Sequence, residues 1–270
     1  MGKTWPALAV TVDGVDRDLA LAAADDYAPT AVEEREDGLR IFFPSPDIRD
    51  RALAALSQFT ATRIDVDDED WARRSQHDLA PIAVGRIVVR PTPAALPAPA
   101  ALSDGIELVI PPSMGFGTGH HATTRLCLAA LQRIDLRDKV VLDVGTGSGL
   151  LAIAAAKLGA ARAIGLDDDR DAIQAATENL ECNSVTNVEL VVSDLLKDAL
   201  PAADMVVANL TGGLVVRAAE RLVASVRSGG VLIVSGVLAV ERDEISRAFA
   251  NQKLVEVVQE DEWLGFTIGC

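Results

Sequence analysis

Cysteine and aromatic residues are scarce in this sequence of 270 residues, which contains three cysteines and 4% Phe, Trp and Tyr. Cys127, Cys182 and Cys270 show no CxxC spacing, so the sequence predicts neither a disulfide framework nor a structural zinc site. Cys127 lies within the apolar stretch RLCLAAL and is expected to pack in a helix core.

Positively charged residues are also few: the chain has 25 Lys and Arg against 40 Asp and Glu, which gives a formal net charge of −15. Binding to nucleic-acid phosphates normally needs a basic surface, so we expect no direct nucleic-acid partner. A basic protein partner would suit this charge, although many soluble proteins are simply acidic.

Long apolar runs are absent: none reaches the roughly 18 residues that a membrane helix needs. The first residues, MGKTWPALAV, lack the apolar run of a signal peptide, and Pro6 breaks the myristoylation pattern. We therefore expect a soluble, cytoplasmic monomer without a membrane partner. Hydrophobic residues make up 49% of the chain, which is enough for a sizeable core.

Composition changes at the proline-rich stretch VVRPTPAALPAPAALSDG, residues 88–105, which shows neither a helical nor a strand period. Before it, short strand and helix patterns follow the order βαββαβ, which is typical of a ferredoxin-like α+β domain. We predict a ferredoxin-like substrate-recognition domain at 1–70 and a linker at 71–100.

Residues 101–270 alternate strands with helices, beginning with the strand VVLDV and ending in a predicted antiparallel hairpin, LVEVVQEDEWLGFTIG. The strands are nearly all apolar, as expected of a parallel sheet covered on both faces. The pattern predicts a doubly wound, Rossmann-like α/β sheet. Ligands of such sheets bind outside the carboxyl ends of the strands, where the strand order reverses.

The first strand of this sheet runs into the glycine-rich turn DVGTGSG. Gly145 and Gly147 allow a tight turn and a close approach of the backbone to a ligand. The dinucleotide pattern GxGxxG would need a glycine where Leu150 stands. Asp143 would repel a pyrophosphate and attract a cationic sulfonium and its amino group. The turn therefore favours S-adenosylmethionine as the cofactor over NAD.

Polar residues end the next three strands. Asp167 ends the second strand, where a carboxylate can bind both ribose hydroxyls. Asp194 ends the third strand, and both an adenine contact and a helix cap are open for it. Asn209 ends the fourth strand, where its amide could accept a hydrogen bond from a substrate amine or from the cofactor's ammonium. A simple turn residue is the alternative for Asn209.

The stretch GFGTGHHATT, residues 115–124, could be a metal site, a phosphate cradle or a loop over a cofactor. Adjacent histidines diverge and no third ligand lies nearby in sequence, so we expect no metal site. We interpret the stretch as a loop that folds over the methionine end of the cofactor and leads into a helix near Thr123 or Thr124. Phe116 is a candidate cofactor contact, and His121 is a candidate proton relay.

Several blocks of the sequence, in order, resemble class I methyltransferases and, within them, the ribosomal protein L11 methyltransferase (PrmA) family. GFGTGHHATTRLCLAAL resembles the family's AFGTGTHPTT signature, DVGTGSGLLAIAAAKLGA resembles its glycine motif, and VVANLTGGLV resembles its VVANIL segment. The likeness runs from about Asp67 to the end, whereas the N-terminal unit matches in layout only.

The resemblance implies cofactor contacts at Thr124, Gly145, Asp167 and Asn209, whose spacing agrees with the family's without a gap. It also implies transfer of methyl groups from S-adenosylmethionine to lysine ε-amines, and to an α-amine, of a basic protein of the large ribosomal subunit. Catalytic roles are then expected for Asn209 and His121.

The chain departs from the family's pattern in its loops. His120 stands for a threonine and Ala122 for a proline, the glycine turn has Thr146 in place of a cysteine, and Asn209 is followed by Leu-Thr-Gly where the family has Ile-Leu-Ala. These changes spare the cofactor contacts and bear on the substrate. Three alternatives therefore stay open: methylation of another protein or a small molecule, a non-catalytic S-adenosylmethionine-binding module, and an NAD oxidoreductase.

Overall fold

The computed structural model describes residues 4–12, 20, 23–24, 27, 29–35, 38–67, 81–91, 105–111 and 119–270. Backbone packing divides the chain into two compact units, residues 1–77 and 78–270. The predicted first helix, DRDLALAAADDYA, falls largely outside the described residues, as does most of the proline-rich stretch.

The N-terminal unit contains a four-stranded sheet in the order β2-β3-β1-β4, in which every neighbouring pair is antiparallel. The strands are β1 (Thr4–Thr11), β2 (Ala31–Arg35), β3 (Gly38–Phe42) and β4 (Thr60–Asp67). Helix α1 (Pro46–Ala55) begins where the Ser45 hydroxyl accepts a hydrogen bond from the Ile48 N–H. This order and pairing confirm the ferredoxin-like prediction.

A small three-stranded sheet opens the second unit. Strand β5 (Ile82–Val84) pairs antiparallel with β6 (Ile87–Arg90), which pairs in parallel with β7 (Ile106–Val109). Strands β5 and β6 therefore lie inside the predicted linker at 71–100, and the prediction that residues 88–105 lack a strand is wrong for residues 88–90. Strand β6 is too short to show a period, and it forms because Ile87 and Val89 are buried in the core of the second unit.

The main sheet of the second unit has seven strands in the order β10-β9-β8-β11-β12-β14-β13. They are β8 (Val140–Val144), β9 (Arg162–Asp167), β10 (Val188–Val192), β11 (Ala203–Asn209), β12 (Val226–Leu238), β13 (Lys253–Glu260) and β14 (Trp263–Gly269). All neighbours are parallel except β14, which is antiparallel to both of its partners. The doubly wound sheet and its terminal hairpin are confirmed, and the strand order reverses between β8 and β11.

Helices cover both faces of this sheet. They are α2 (Ala122–Leu131), α3 (Leu150–Lys157), α4 (Arg170–Cys182), α5 (Gly212–Ser225) and α6 (Arg242–Ala248), with a short 3₁₀ turn at Ala239–Glu241. Successive strand residues face opposite sides. Val141 therefore packs with α2 and α3, whereas Leu142 packs with α5. This two-sided burial explains why the strands are apolar throughout.

Cys127 is fully buried in α2, as predicted, and its burial raises the pKa of its thiol. Among the described residues, no helix is both long enough and apolar enough to cross a bilayer.

Candidate active site

The candidate site lies at the carboxyl ends of β8 and β11, which are neighbours where the strand order reverses. The turn after β8 closes when the N–H groups of Gly145 and Thr146 both donate to the Leu166 carbonyl, each at 2.8 Å. Gly145 and Gly147 have φ angles of 71° and 52°, in the left-handed region that favours glycine. The turn then enters α3.

Asp143 braces this turn from inside the protein. Its Oδ2 accepts hydrogen bonds from the Thr146 hydroxyl at 2.7 Å and from the Ala152 N–H at 3.1 Å. Its Oδ1 is buried and has no hydrogen-bond partner among the described residues. Burial raises the pKa of Asp143 to about 6, against the lowering effect of the two hydrogen bonds. One carboxylate oxygen therefore holds the turn, and the other lies buried without a hydrogen-bond partner among the described residues.

Asp143 also gives folding stability a defined pH dependence. Because its pKa is about 6 in the folded chain and ordinarily 3.8, the folded state binds this proton more tightly than the unfolded state. The contribution of Asp143 to the free energy of unfolding is therefore largest below pH 3.8, and it is lost as the pH rises through about 6.

We expect Asp143→Asn to lack this decline when urea unfolding of both proteins is measured between about pH 4 and pH 7. Parallel pH profiles for the two proteins would contradict the assignment.

Asp167 sits at the end of β9 and faces the same turn. Its Oδ2 accepts a hydrogen bond from the Gly147 N–H at 2.8 Å, and its Oδ1 accepts one from the Asp169 N–H at 3.1 Å. Each carboxylate oxygen has a further lone pair, so a half-exposed Asp167 can still accept hydrogen bonds from a ligand.

Asp194 follows β10 and closes a turn of its own. Its carboxylate accepts hydrogen bonds from Lys197 Nζ at 2.6 Å and from the Leu196 N–H at 2.8 Å, and these lower its pKa, Lys197 more than Leu196. It caps no helix, because residues 194–198 form a turn. Its predicted adenine contact stays a prediction.

Thr124 and Asn209, which lie far apart in sequence, meet across the site. Asn209 Nδ2 lies 3.4 Å from the Thr124 hydroxyl oxygen, at the long end of hydrogen-bonding range. Thr124 is buried in the first turn of α2, and Asn209 is half-buried at the end of β11. Through Leu210, which contacts Gly145, this pair connects to the glycine turn and so to Asp167. The structure thus brings all four residues implied by the family resemblance to one edge of the sheet.

The described end of the GFGTGHHATT stretch, residues 119–124, contacts other parts of the second unit. Helix α2 begins at Ala122, next to the predicted start, and His121 caps it through Nδ1, which lies 3.4 Å from the Thr123 nitrogen and 2.8 Å from its hydroxyl. The His121 ring also packs edge-on against Trp263, with centroids 4.7 Å apart. Phe116 lies outside the described residues.

An arginine and a glutamate reinforce this loop, and sequence reasoning missed both. Arg125 donates to the His120 carbonyl, and its Nε donates to Glu260 Oε1 at 2.6 Å. Arg125 and Glu260 are 135 positions apart, so no local sequence signal could have paired them. Among the described residues, no cluster of three or more His, Cys, Asp or Glu could hold a metal ion.

The connection from the last residue of β11 to the first residue of α5, residues 209–212, is here called the 209–212 loop, and it packs between two glycines. A Cβ placed on Gly145 would lie 2.4 Å from Leu210 Cδ2, and one on Gly236 would lie 2.2 Å from the Leu210 carbonyl oxygen. Gly236 also has a φ of 82°, so only glycine fits there without strain.

Comparisons with known proteins show the family to which the chain belongs. The model of the family described as ribosomal protein L11 methyltransferase (PrmA) matches residues 47–269. A ribosomal protein L11 methyltransferase of Geobacter metallireducens is 38% identical over 272 residues, covering 94% of this chain and 87% of that relative. One of Escherichia coli O8 is 39% identical, covering 75% of this chain and 68% of that relative.

Among solved structures, the ribosomal protein L11 methylase of Lactobacillus delbrueckii subsp. bulgaricus is similar to this chain, with a TM-score of 0.64 and 28% identity. The match covers 70% of this chain and 97% of that structure.

Proposed function

Because the chain belongs to the ribosomal protein L11 methyltransferase (PrmA) family, we propose that it methylates lysine ε-amines, and an α-amine, of ribosomal protein L11. The chain is a methyltransferase, and its cofactor is S-adenosylmethionine. The observation that carries the proposal is the convergence of Thr124, Gly145, Asp167 and Asn209 on one edge of the sheet.

The residues of the site fit S-adenosylmethionine. Gly145 and Gly147 have no side chains, so the cofactor could approach the backbone closely at this turn. Asp167 would accept hydrogen bonds from the ribose hydroxyls. The free Oδ1 of Asp143 supplies the negative charge that suits an ammonium or a sulfonium. Thr124 and Asn209 would contact the methionine end.

When bound, S-adenosylmethionine supplies a methyl group that its sulfonium already activates. The protein therefore contributes mainly by positioning the acceptor amine in line with the carbon–sulfur bond. The Asn209 amide would accept a hydrogen bond from this amine and direct its lone pair. The amine must be neutral to attack, and desolvation of the lysine lowers its pKa toward that state. The proton leaves to solvent.

The charge of the protein supports a basic acceptor. A net charge of −15 attracts a lysine-rich protein and speeds its encounter with the site. The comparisons name ribosomal protein L11 as the substrate of the relatives.

The direct test incubates the purified protein with isotopically labelled S-adenosylmethionine and ribosomal protein L11, and then locates the methyl groups by mass spectrometry. We expect label on lysine side chains and on the α-amine. Label on a non-amine residue, or on none, would overturn the proposed acceptor. A copy of L11 with its labelled lysines changed to arginine is the matched control.

We further propose that the N-terminal unit presents the substrate. A chain truncated to residues 78–270, which keeps the β5–β7 sheet, should bind S-adenosylmethionine as the full chain does. Its KM for ribosomal protein L11 should rise at least about tenfold, the scale of losing one modest contact surface. Calorimetry and steady-state kinetics measure the two, with circular dichroism as the fold control. An unchanged KM would contradict the presenting role.

We expect His121→Ala to lower turnover and cofactor affinity together, each by roughly 2–10-fold, because loss of a helix cap typically costs ~1 kcal/mol. His121→Asn, which can still cap the helix, should stay near the parent protein. His120→Thr should be tolerated, because the family has a threonine at this position and the hydrogen bond from Arg125 goes to the backbone carbonyl of residue 120.

A turnover loss of roughly 10²–10⁴-fold in His121→Ala at unchanged cofactor affinity would instead make His121 a proton relay.

A further inference from the structure

Glu241 places a carboxylate against the first residue of α5. It lies in the 3₁₀ turn after β12, and its Oε2 accepts a hydrogen bond from the Leu238 N–H at 2.8 Å. A Cβ placed on Gly212 would lie 2.4 Å from Glu241 Oε1 and 2.5 Å from Oε2. The carboxylate therefore occupies the space that a side chain at position 212 would need.

The Glu241 carboxylate lies beside the N-terminal end of α5, which has no side-chain capping hydrogen bond from its own N-cap residue. Thr211 is the N-cap residue, and its side chain makes no capping hydrogen bond. The N-terminal end of a helix carries partial positive charge, which favours a neighbouring anion. The Glu241 carboxylate thus approaches the start of α5 from a different element, and Gly212 is the residue that lets it come so close.

Glu241 completes the packing of the 209–212 loop. Leu210, at the second position, is confined by Gly145 on one side and by the backbone at Gly236 on the other. Its N–H also donates to the Ser235 carbonyl at 3.0 Å. The loop that carries Asn209 therefore packs against Gly145 and Gly236 in its middle and lies beside the Glu241 carboxylate at its end.

We propose that Glu241 is a positioning residue, which fixes the end of the 209–212 loop and thereby the direction in which the Asn209 amide faces the acceptor amine. The proposal rests on the proposed function, because it assigns Asn209 to the acceptor. Glu241 acts through the loop and needs no contact with either substrate.

Gly212→Ala is the sharpest variant. The three atoms nearest to the added methyl group all belong to the carboxylate at the far end of the Glu241 side chain, so this carboxylate must swing away while the backbone keeps its place. Alanine is also favoured in a helix, so the fold should not suffer. We expect kcat with ribosomal protein L11 to fall roughly 10–100-fold, the scale of a small misplacement at a reacting centre. KM and cofactor affinity should stay within about two-fold of the parent protein.

Glu241→Ala should lower kcat to a similar extent, and the double variant should be no worse than Glu241→Ala alone. The reason is that the methyl group at position 212 has nothing left to displace once the carboxylate is gone. Gly213→Ala is the matched control: its Cβ would meet nothing within 4 Å, so kcat should not change.

Two kinetic outcomes would overturn the proposal while the parent protein is active. The first is a kcat within about two-fold of the parent in Gly212→Ala or Glu241→Ala, even if the protein is less stable. The second is losses that multiply in the double variant.

Amide hydrogen exchange at residues 210–214 tests the positioning without any methyl transfer. Faster exchange in Gly212→Ala and Glu241→Ala, but not in Gly213→Ala, is expected, and equal exchange in all four proteins would overturn the proposal. A parent protein that transfers no methyl group to ribosomal protein L11 would contradict the proposed function alone.

Discussion

Asn209→Ala is expected to lower kcat for methylation of ribosomal protein L11 by roughly 10²–10³-fold, the effect of removing one preorganised polar group at a reacting centre. The amide is held at the end of β11, beside the Thr124 hydroxyl, by a loop that packs against Gly145 and Gly236. Cofactor affinity should fall much less, by about 2–13-fold, which is one ordinary hydrogen bond of ~0.5–1.5 kcal/mol. Single-turnover kinetics and calorimetry measure the two quantities.

Variants of Thr124 provide the matched pair for this experiment. Thr124→Ser keeps the hydroxyl near Asn209 and should retain most of the activity, whereas Thr124→Val keeps the shape, removes the hydroxyl and should lose part of it. If Asn209→Ala weakened cofactor binding as much as it slowed turnover, Asn209 would be a cofactor ligand without a role at the acceptor.

Asp167→Ala should weaken S-adenosylmethionine binding by about 1.5–3 kcal/mol, or roughly 10–150-fold, the scale of hydrogen bonds to a charged group. The substitution removes the carboxylate that is proposed to accept hydrogen bonds from the ribose hydroxyls. It also frees the Gly147 N–H, which donates to Asp167 at 2.8 Å and helps to shape the glycine turn. Calorimetric titration with S-adenosylmethionine measures the change.

Asp168→Ala is the control for charge, because the neighbouring carboxylate is exposed and its loss changes the net charge equally. It should leave the affinity unaltered. An unchanged affinity in Asp167→Ala, with the circular dichroism spectrum of the parent, would show that Asp167 does not hold the cofactor.

Local sequence patterns were sufficient for the elements from α2 to the end of the chain, but not for strands β5, β6 and β7. Apolar strands such as β8 and β11, and helices such as α5, begin and end within a few residues of their predicted bounds. The glycines of DVGTGSG and the polar residues at strand ends indicated the site because each signal lies within a few consecutive positions. Strand β6 escaped prediction since its three apolar residues and Arg90 carry too little periodicity beside a proline-rich stretch.

The hydrogen bonds of the Asp143 side chain could not be predicted from the sequence. The sequence placed it at a strand end and predicted a cofactor contact. In the structure it shares the face of Val141 toward α2 and α3, and one of its oxygens is taken up by the turn itself. Strand alternation determines the face, but only packing determines how much of the carboxylate is left for a ligand.

The sequence by itself determined the order of the strands and helices from β8 onward, the doubly wound sheet and the cofactor class, because these depend on periodicity and on residues a few positions apart. Only the tertiary structure decided that Arg125 reaches Glu260, that His121 packs on Trp263 and that the Glu241 carboxylate fills the space beside Gly212. The physical reason is that such contacts join distant parts of the chain. Their existence depends on gaps of an ångström or less between packed elements, which no local pattern records.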